Sequence, residues 1–351
     1  MKALERVRRA LRVLRQAMAT KSRAEAIRRA IVIFTMVAGI APAWTFAEDI
    51  DIANYGVAMN GMPFAVAIAK GYLKEEGAPN ISGIMTDNGG GTTIRNVTAG
   101  GLVFGESSLA AVVSAVQGGA DIKIVSEDAN LVTDICFVTM PSSPIKSIND
   151  INGKRLGFTN PGSTTQALTL LLLEKVHLKP SDVTMTAAGG FGPGLTALEN
   201  GGIDVMALTD PLTSKYGARY RVIAWGRDLF PPMNNVVGIS TGKAMKEHPD
   251  TIRAIIRARR RAVEFMNAHP KEAAQIIATV YKMDVPVIEK AIANTNVSVE
   301  GIKYWGPGNL DYKGMDNMIR AQKLVGAVKG DVDWSKLVDE SFLPDDLKSK
   351  K

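Results

Sequence analysis

The sequence predicts an α/β protein of two lobes, each built on an open, mostly parallel sheet. Three observations carry this reading. Short apolar strands alternate with helical patterns on short connections, as in sheets covered by helices. Paired glycines close the helices at Gly100-Gly101, Gly118-Gly119 and Gly201-Gly202, where a left-handed cap is wanted. The roughly 300 residues after Ala47 suffice for two cores of about 150 residues each.

Each element follows from local chemistry. Ile52–Val57 reads as the first strand, Asn60-Gly61-Met62-Pro63 as a turn, and Phe64–Lys70 as a helix ending at Gly71. Ile81–Thr86 is the next strand, Asn88-Gly89-Gly90-Gly91 its turn, and Thr92–Ala99 its helix. Leu102–Gly105 repeats the plan, with Glu106-Ser107-Ser108 as the turn before helix Leu109–Gln117. Leu156–Thr159 is a short buried strand, and Asn160-Pro161-Gly162 turns the chain, proline fixing φ and glycine allowing it to be positive. Ser163-Thr164-Thr165 then caps the helix through Ala167–Leu173. Later come helix Leu195–Asn200, strand Ile203–Leu208 and turn Thr209-Asp210-Pro211, with proline suited to a first helical position. From Lys243 on the pattern is mainly helical. His248-Pro249 and His269-Pro270 mark helix entrances, and most of the arginines in Arg257-Ala258-Arg259-Arg260-Arg261 are expected on the solvated face of a helix buried through Ile252, Ile255, Ile256, Val263 and Met266.

In open α/β sheets, ligands bind beyond the carboxyl ends of the strands. Those ends carry Asn60, Gly90, Glu106, Ser107, Ser108, Ser163, Thr164, Thr165, Thr209 and Asp210. Helix starts with small or hydroxyl residues leave N–H groups that can hold an anionic or strongly polar group. An ordinary helix cap explains any one of these turns as well; their repetition points to a cleft. Asp210 suits capping its own helix as readily as touching a ligand.

The amino terminus reads as an export signal. Ten of the 42 basic residues but only Glu5 and Glu25 among the 35 acidic ones precede Glu48. A largely apolar run from Ala30 to Ala41, Pro42 and the small-residue pattern Thr45-Phe46-Ala47 follow. That run is short for a membrane span. The remainder keeps 32 basic against 33 acidic residues, so the basic whole-chain charge is no argument for nucleic acid. Cys136 is the single cysteine and sits in an apolar run, which excludes an intramolecular disulfide. Three scattered histidines cannot supply a metal cluster. No lysine follows the glycine turn in the P-loop position, and Gly192-Pro193-Gly194 lacks the rest of a dinucleotide fingerprint. No serine nucleophile motif is present.

Pro63-Phe64, the run Ala69–Gly77, and Ile148–Gly157 with Pro161-Gly162-Ser163 resemble the solute-binding proteins of ABC importers. So do Ala197-Leu198 to Gly202-Ile203-Asp204, His248-Pro249 before a long helix, and Pro270 with Glu272-Ala273-Ala274. The branch is the one that binds aliphatic sulfonates, taurine, nitrate and thiamine-precursor pyrimidines, and the resemblance covers nearly all of the chain after the leader. It implies a type II periplasmic binding-protein fold. Residues 1–47 would be the signal peptide, 48–139 and 235–351 lobe 1, and 140–234 lobe 2, with crossings near Met140-Pro141 and Pro232-Met233-Asn234-Asn235. It implies a periplasmic monomer that closes on a small solute and delivers it to an ABC permease and its ATPase, without cofactor, metal or catalysis. Phe64 would pack on the organic part of the solute, Glu106 would pair with an amine, and Asn235 completes the candidate set. A sulfonate or taurine-like solute is favoured. A thiamine-precursor pyrimidine or another carboxylate is the alternative, and a periplasmic hydrolase on the same scaffold is the competing class. The family also includes a pyrimidine-synthesising enzyme with a cysteine-rich motif, which one cysteine cannot supply.

The exported protein is expected to begin at or near Glu48. Intact-mass measurement on periplasmic material checks this; retention of residues 1–47 would make the leader an anchor.

Overall fold

The computed structural model describes residues 48–53, 58–87, 90–100 and 102–349, and the expected signal and its cleavage site lie outside the described residues. The first elements are β1 (Glu48–Ala53), α1 (Met62–Ala69), α2 (Tyr72–Glu76), β2 (Ile81–Asp87), α3 (Gly90–Gly100), β3 (Gly105–Ser108), α4 (Leu109–Gln117) and β4 (Ile122–Ala129). A second set runs β5 (Ile135–Thr139), β6 (Arg155–Phe158), α5 (Thr164–Lys175), β7 (Thr184–Ala187), α6 (Phe191–Glu199), β8 (Val205–Thr209), α7 (Leu212–Tyr216), β9 (Arg221–Trp225) and α8 (Gly226–Leu229). The chain returns with β10 (Val236–Thr241), α9 (Gly242–Glu247), α10 (Pro249–Ala268), α11 (Pro270–Tyr281) and α12 (Val285–Thr295). The hairpin β11 (Ser298–Val299) and β12 (Ile302–Lys303), then α13 (Tyr312–Leu324) and α14 (Trp334–Leu337), complete it.

Two five-stranded sheets result, ordered β2-β1-β3-β10-β4 and β7-β6-β8-β5-β9. β1 runs parallel to β2 and β3, and β6 runs parallel to β7 and β8. In each sheet one strand is reversed: β10 lies antiparallel to β3 and β4, and β5 to β8 and β9. Both are the first strands laid down after the chain crosses from the other lobe. Such a strand has no helix of its own lobe before it, so no right-handed βαβ unit dictates its direction. The architecture is the two-lobed α/β fold expected.

The first crossing falls earlier than expected. Ile135–Thr139 is buried throughout and already pairs with β8, beginning at Ile135 opposite Thr209. The passage therefore runs through residues 130–134 rather than near Met140-Pro141. The return runs through residues 230–235, which include Pro232–Asn235. Contacts between the lobes extend beyond these two passages, because α12 packs on α7 and α13 packs on both α4 and α5.

Close packing sets the strand that leads to the cleft. A Cβ on Gly157 of β6 would stand 2.5 Å from Ile203 Cδ1 and 2.8 Å from Met206 Sδ. Glycine leaves the Ile203 and Met206 side chains room to lie directly on β6; a larger residue would have to push their ends aside.

Three of the four arginines in the run on α10 keep to its outer face, and one does not. Arg257 Nε donates to Glu76 Oε2 at 2.8 Å, Arg261 donates to Glu75 and Glu76, and Arg260 pairs with Glu264 and Asp346. Arg259 points inward and is 1% exposed. Its Nε lies 3.3 Å from Asp128 Oδ1 and 3.8 Å from Glu106 Oε1, while Nη1 donates to the Gly306 carbonyl at 3.0 Å and Nη2 to that of Asp128. Position 259 follows Ile255 by four residues and precedes Val263 by four. It therefore shares the apolar face, where a charge persists only if paired.

Two predictions follow from this interior. Replacing Arg259 by Met strands Asp128 and Glu106 in the core and should cost about 3–5 kcal/mol, read by urea unfolding. Burial pushes the Glu127 carboxyl up to about 8, even though its Oε2 accepts the Asp311 N–H at 2.6 Å. The native state thus holds a proton that the unfolded chain gives up. The associated stability is complete below the ordinary value of 4.5 and is lost as pH rises through about 8. Thermal melts should show this decline, and Glu127→Gln should flatten it.

Candidate functional site

A cavity of about 1030 Å³ lies between the lobes, walled by the connections that follow the parallel strands. The first lobe contributes Asn60, then Gly91, Thr92 and Arg95 of α3, and Ser108 before α4. The second contributes Thr159–Thr165 after β6, Gly189–Gly192 after β7, Thr209 after β8, and the side chains of Leu195, Leu212 and Tyr216. Asp134 and Ile135 come from the first crossing, Asn235 and Val236 from the second. Four helices of nine residues or more, α3 to α6, begin at this cavity. Each leaves its first N–H groups without intrahelical partners.

Hydroxyls organise the second-lobe wall. Thr165 Oγ1 accepts the Thr159 backbone N–H at 3.0 Å and bonds the hydroxyls of Thr159 at 2.8 Å and Ser163 at 2.9 Å. Ser163 is the N-cap of α5, its Oγ accepting from Gln166 N at 3.2 Å. Thr164 Oγ1 donates to Asn235 Oδ1 at 3.1 Å and so ties the start of α5 to the return crossing. Gly162 at φ 77° and Gly189 at φ 82° supply the left-handed turns that bring both loops to the cavity. The starts of α4 and α6 differ, since neither Ser108 nor Gly190 makes a side-chain cap bond.

Among the described residues, Arg95 and Asp134 are the charged side chains that line the cavity. Arg95 is exposed and donates to Thr92 Oγ1 at 2.8 Å. Asp134 is 4% exposed. Its Oδ2 accepts the Thr209 hydroxyl at 2.8 Å, and burial, reinforced by the Asp210 charge, pushes its carboxyl up to about 7.

Asn60, Ser108, Ser163, Thr164, Thr165 and Asn235, all expected from the sequence, line the cavity. Gly90 opens α3, but the lining starts at Gly91. Four expected residues lie elsewhere. Phe64 is fully buried in α1, with its ring 5.8 Å from that of Phe104. Glu106 and Ser107 are fully buried because β3 spans Gly105–Ser108, beginning where the expected strand Leu102–Gly105 would end, and pairs with β10 along its length. Glu106 accepts from Asn60 Nδ2 at 2.9 Å; burial and the nearby Asp128 carboxyl hold its pKa well above the usual carboxylate range. Asp210 holds its own helix, accepting Ser214 N–H at 2.9 Å and Asn294 Nδ2 at 3.1 Å.

Sequence reasoning missed Thr92, Arg95, Asp134, Phe191 and Tyr216. Arg95 stands three residues beyond Thr92, on the same helix face, which was the available signal. Gly189 to Gly194 repeats the strand–turn–helix device and merited the same reading. Asp134 falls on a crossing expected too late, so nothing in the pattern marked it. No cluster of metal-binding type occurs among the described residues.

The caps separate the roles of two serines. Ser163→Ala should lower stability by about 1 kcal/mol, whereas Ser108→Ala, which removes no cap bond, should change it by less than about 0.5 kcal/mol. Paired denaturant melts check the contrast.

Residues 58–273 match the family described as NMT1/THI5 like. A Bacillus subtilis (strain 168) protein named for aliphatic sulfonate binding is 23% identical over 303 residues, covering 82% of this chain and 86% of that protein. The riboflavin-binding protein RibY of Chloroflexus aurantiacus is 25% identical over 215 residues, 60% of each chain. Among solved structures, the periplasmic aliphatic sulphonate binding protein SsuA from Escherichia coli shares the fold, with a TM-score of 0.67 and 18% identity. That match covers 83% of this chain and 92% of the other.

Proposed function

The chain belongs to the NMT1/THI5-like family, and from that premise we propose that it is the periplasmic solute-binding component of an ABC importer. It acts as a monomer, captures a small anionic organic solute between its lobes and delivers it to a permease and its ATPase. The observation that carries this is the convergence of four helix N-termini and the Arg95 guanidinium on one cavity. Unpaired N–H groups, helix dipoles and a guanidinium favour an anionic head group.

A sulfonate is the head group this reading favours. Its three oxygens can take donors from several helix starts at once, and the B. subtilis relative is named for such solutes. A cavity of about 1030 Å³ exceeds what a two-carbon sulfonate fills, which supports a larger organic body against Phe191, Leu195, Leu212 and Tyr216. The neutral hydroxyl donors of Ser108 and Ser163 add hydrogen bonds without a fixed countercharge, so the anion can be released again. Binding without turnover distinguishes this role from a hydrolase.

Calorimetry with a series of alkyl sulfonates, nitrate, acetate and an aminopyrimidine tests the assignment. Sulfonates should bind and be recovered unchanged. Arg95→Met combined with Ser108→Ala should weaken sulfonate binding by about 1–3 kcal/mol, with stability little altered. Unchanged affinity in that variant would remove the anion site from this wall of the cleft.

A further inference from the structure

A second cavity, of about 400 Å³, opens on the first lobe and shares no lining residue with the cleft. That volume lies within the roughly 300–1,000 Å³ usual for small-molecule sites. One wall is a face of α10 carrying Arg260, Val263, Glu264 and Asn267, and the other is the segment from Gly301 to Asn309. Asn130, where the first crossing begins, also lines it and is 6% exposed. The Asn130 backbone N–H donates to the Tyr304 carbonyl at 2.9 Å, which holds the residue against that segment. Its side-chain Oδ1 is buried and has no hydrogen-bond partner. Native proteins keep few buried acceptors unmet without a reason. Gly306 leaves room for this amide: a Cβ there would stand 2.3 Å from Asn130 Nδ2, so a larger residue would push the amide aside.

The surrounding groups say what chemistry would meet that oxygen. The charged groups at the rim are already engaged. Arg260 Nε lies 3.1 Å from Glu264 Oε1, its Nη1 lies 2.8 Å from Asp346 Oδ2, and Lys303 Nζ donates to Asn267 Oδ1 at 3.1 Å. A charged ligand would compete with these bonds, whereas a neutral one leaves them in place. The Trp305 indole N–H is spent on the Met59 carbonyl at 3.0 Å, so Trp305 offers the cavity only apolar ring, as Val263 and Ile302 offer only carbon. A ring with C–H faces and hydroxyl edges suits such a lining. Each hydroxyl both donates and accepts: one can give its proton to Asn130 Oδ1, and another can accept from the Lys303 ammonium, which has three donors.

We propose that this cavity is a second ligand site, for a small neutral polyhydroxy compound of the monosaccharide or cyclitol type, with Asn130 as its anchor. It stands apart from the anion reading of the cleft and does not depend on it. Because Asn130 opens the passage to the second lobe, an occupant bridges that passage to α10.

Calorimetry with glucose, galactose, mannose and myo-inositol, and with the charged glucose analogues glucosamine and glucuronate, tests the site. At least one neutral compound should bind saturably at one site per chain, and at least about tenfold more tightly than either charged analogue. Hydrogen exchange on the wild-type protein should show that compound protecting residues 301–309 while the cleft turns 159–165 and 189–192 stay unchanged. Asn130→Leu removes the acceptor at similar size and should weaken binding at least about tenfold. Arg95→Met with Ser108→Ala, which alters the cleft, should leave it unchanged. The wild-type measurements do not depend on Asn130→Leu folding. No saturable binding by a neutral compound, tighter binding of a charged analogue, protection at the cleft turns instead, or an affinity that survives Asn130→Leu overturns the proposal. Each of these outcomes leaves the anion site of the cleft to its own test.

Discussion

The buried guanidinium of Arg259 is the interaction around which the first lobe is arranged. It reaches from α10 to the Asp128 side chain and carbonyl on β4, to Glu106 on β3 and to the Gly306 carbonyl. Ser126 Oγ steadies Asp128 by donating to its Oδ1 at 2.8 Å. One cation thereby ties together two strands, the long helix and the C-terminal segment. Glu106 in turn accepts from Asn60, which forms part of the cavity wall. A charge cluster deep in the core therefore holds a residue of the cleft, and loosening it would move the binding surface as well as weaken the fold.

The cleft owes its position to topology rather than to any single residue. Parallel strands end together, and the turns after β2, β3, β6 and β7 lead directly into helices. Helix starts are consequently gathered at one place on each lobe. The amide dipoles assembled there are fixed by the backbone, so specificity is left to the side chains that differ from the common plan, Arg95, Asp134, Phe191 and Tyr216. If the cleft receives an anion as proposed, these few positions are where it would become selective.

Much of this was legible in the sequence. The alternation of strands and helices, the helix ends at Gly118-Gly119 and Gly201-Gly202 and the Asn160–Thr165 turn appear where expected, because each rests on local chemistry. β1 (Glu48–Ala53) and β3 (Gly105–Ser108), in contrast, are displaced along the chain from the expected Ile52–Val57 and Leu102–Gly105. The misplaced side chains share one cause, which is that exposure depends on distant chain. Glu106 and Ser107 look like turn residues until pairing with β10 makes Gly105–Ser108 the strand. Arg259 looks solvated until Asp128 and Glu106 arrive from strands more than a hundred residues earlier. Asp134 carries no local mark at all, since its setting is made by Thr209, Asp210 and Tyr304. Periodicity reports which face a residue occupies; it does not report what the opposing chain brings to it.

The placement of β10 bears on the order in which the protein can assemble. It fills the slot between β3 and β4, and it is the first strand of its sheet to follow the whole second lobe in the chain. During synthesis β3 and β4 therefore wait, without their shared neighbour, until residues beyond 235 exist. Such delayed closure raises the sequence separation of contacts and slows folding. The amino-terminal third alone has a sheet with a gap between β3 and β4, so the walls of the interlobe cleft are complete only once about two-thirds of the chain, through β10, has been made.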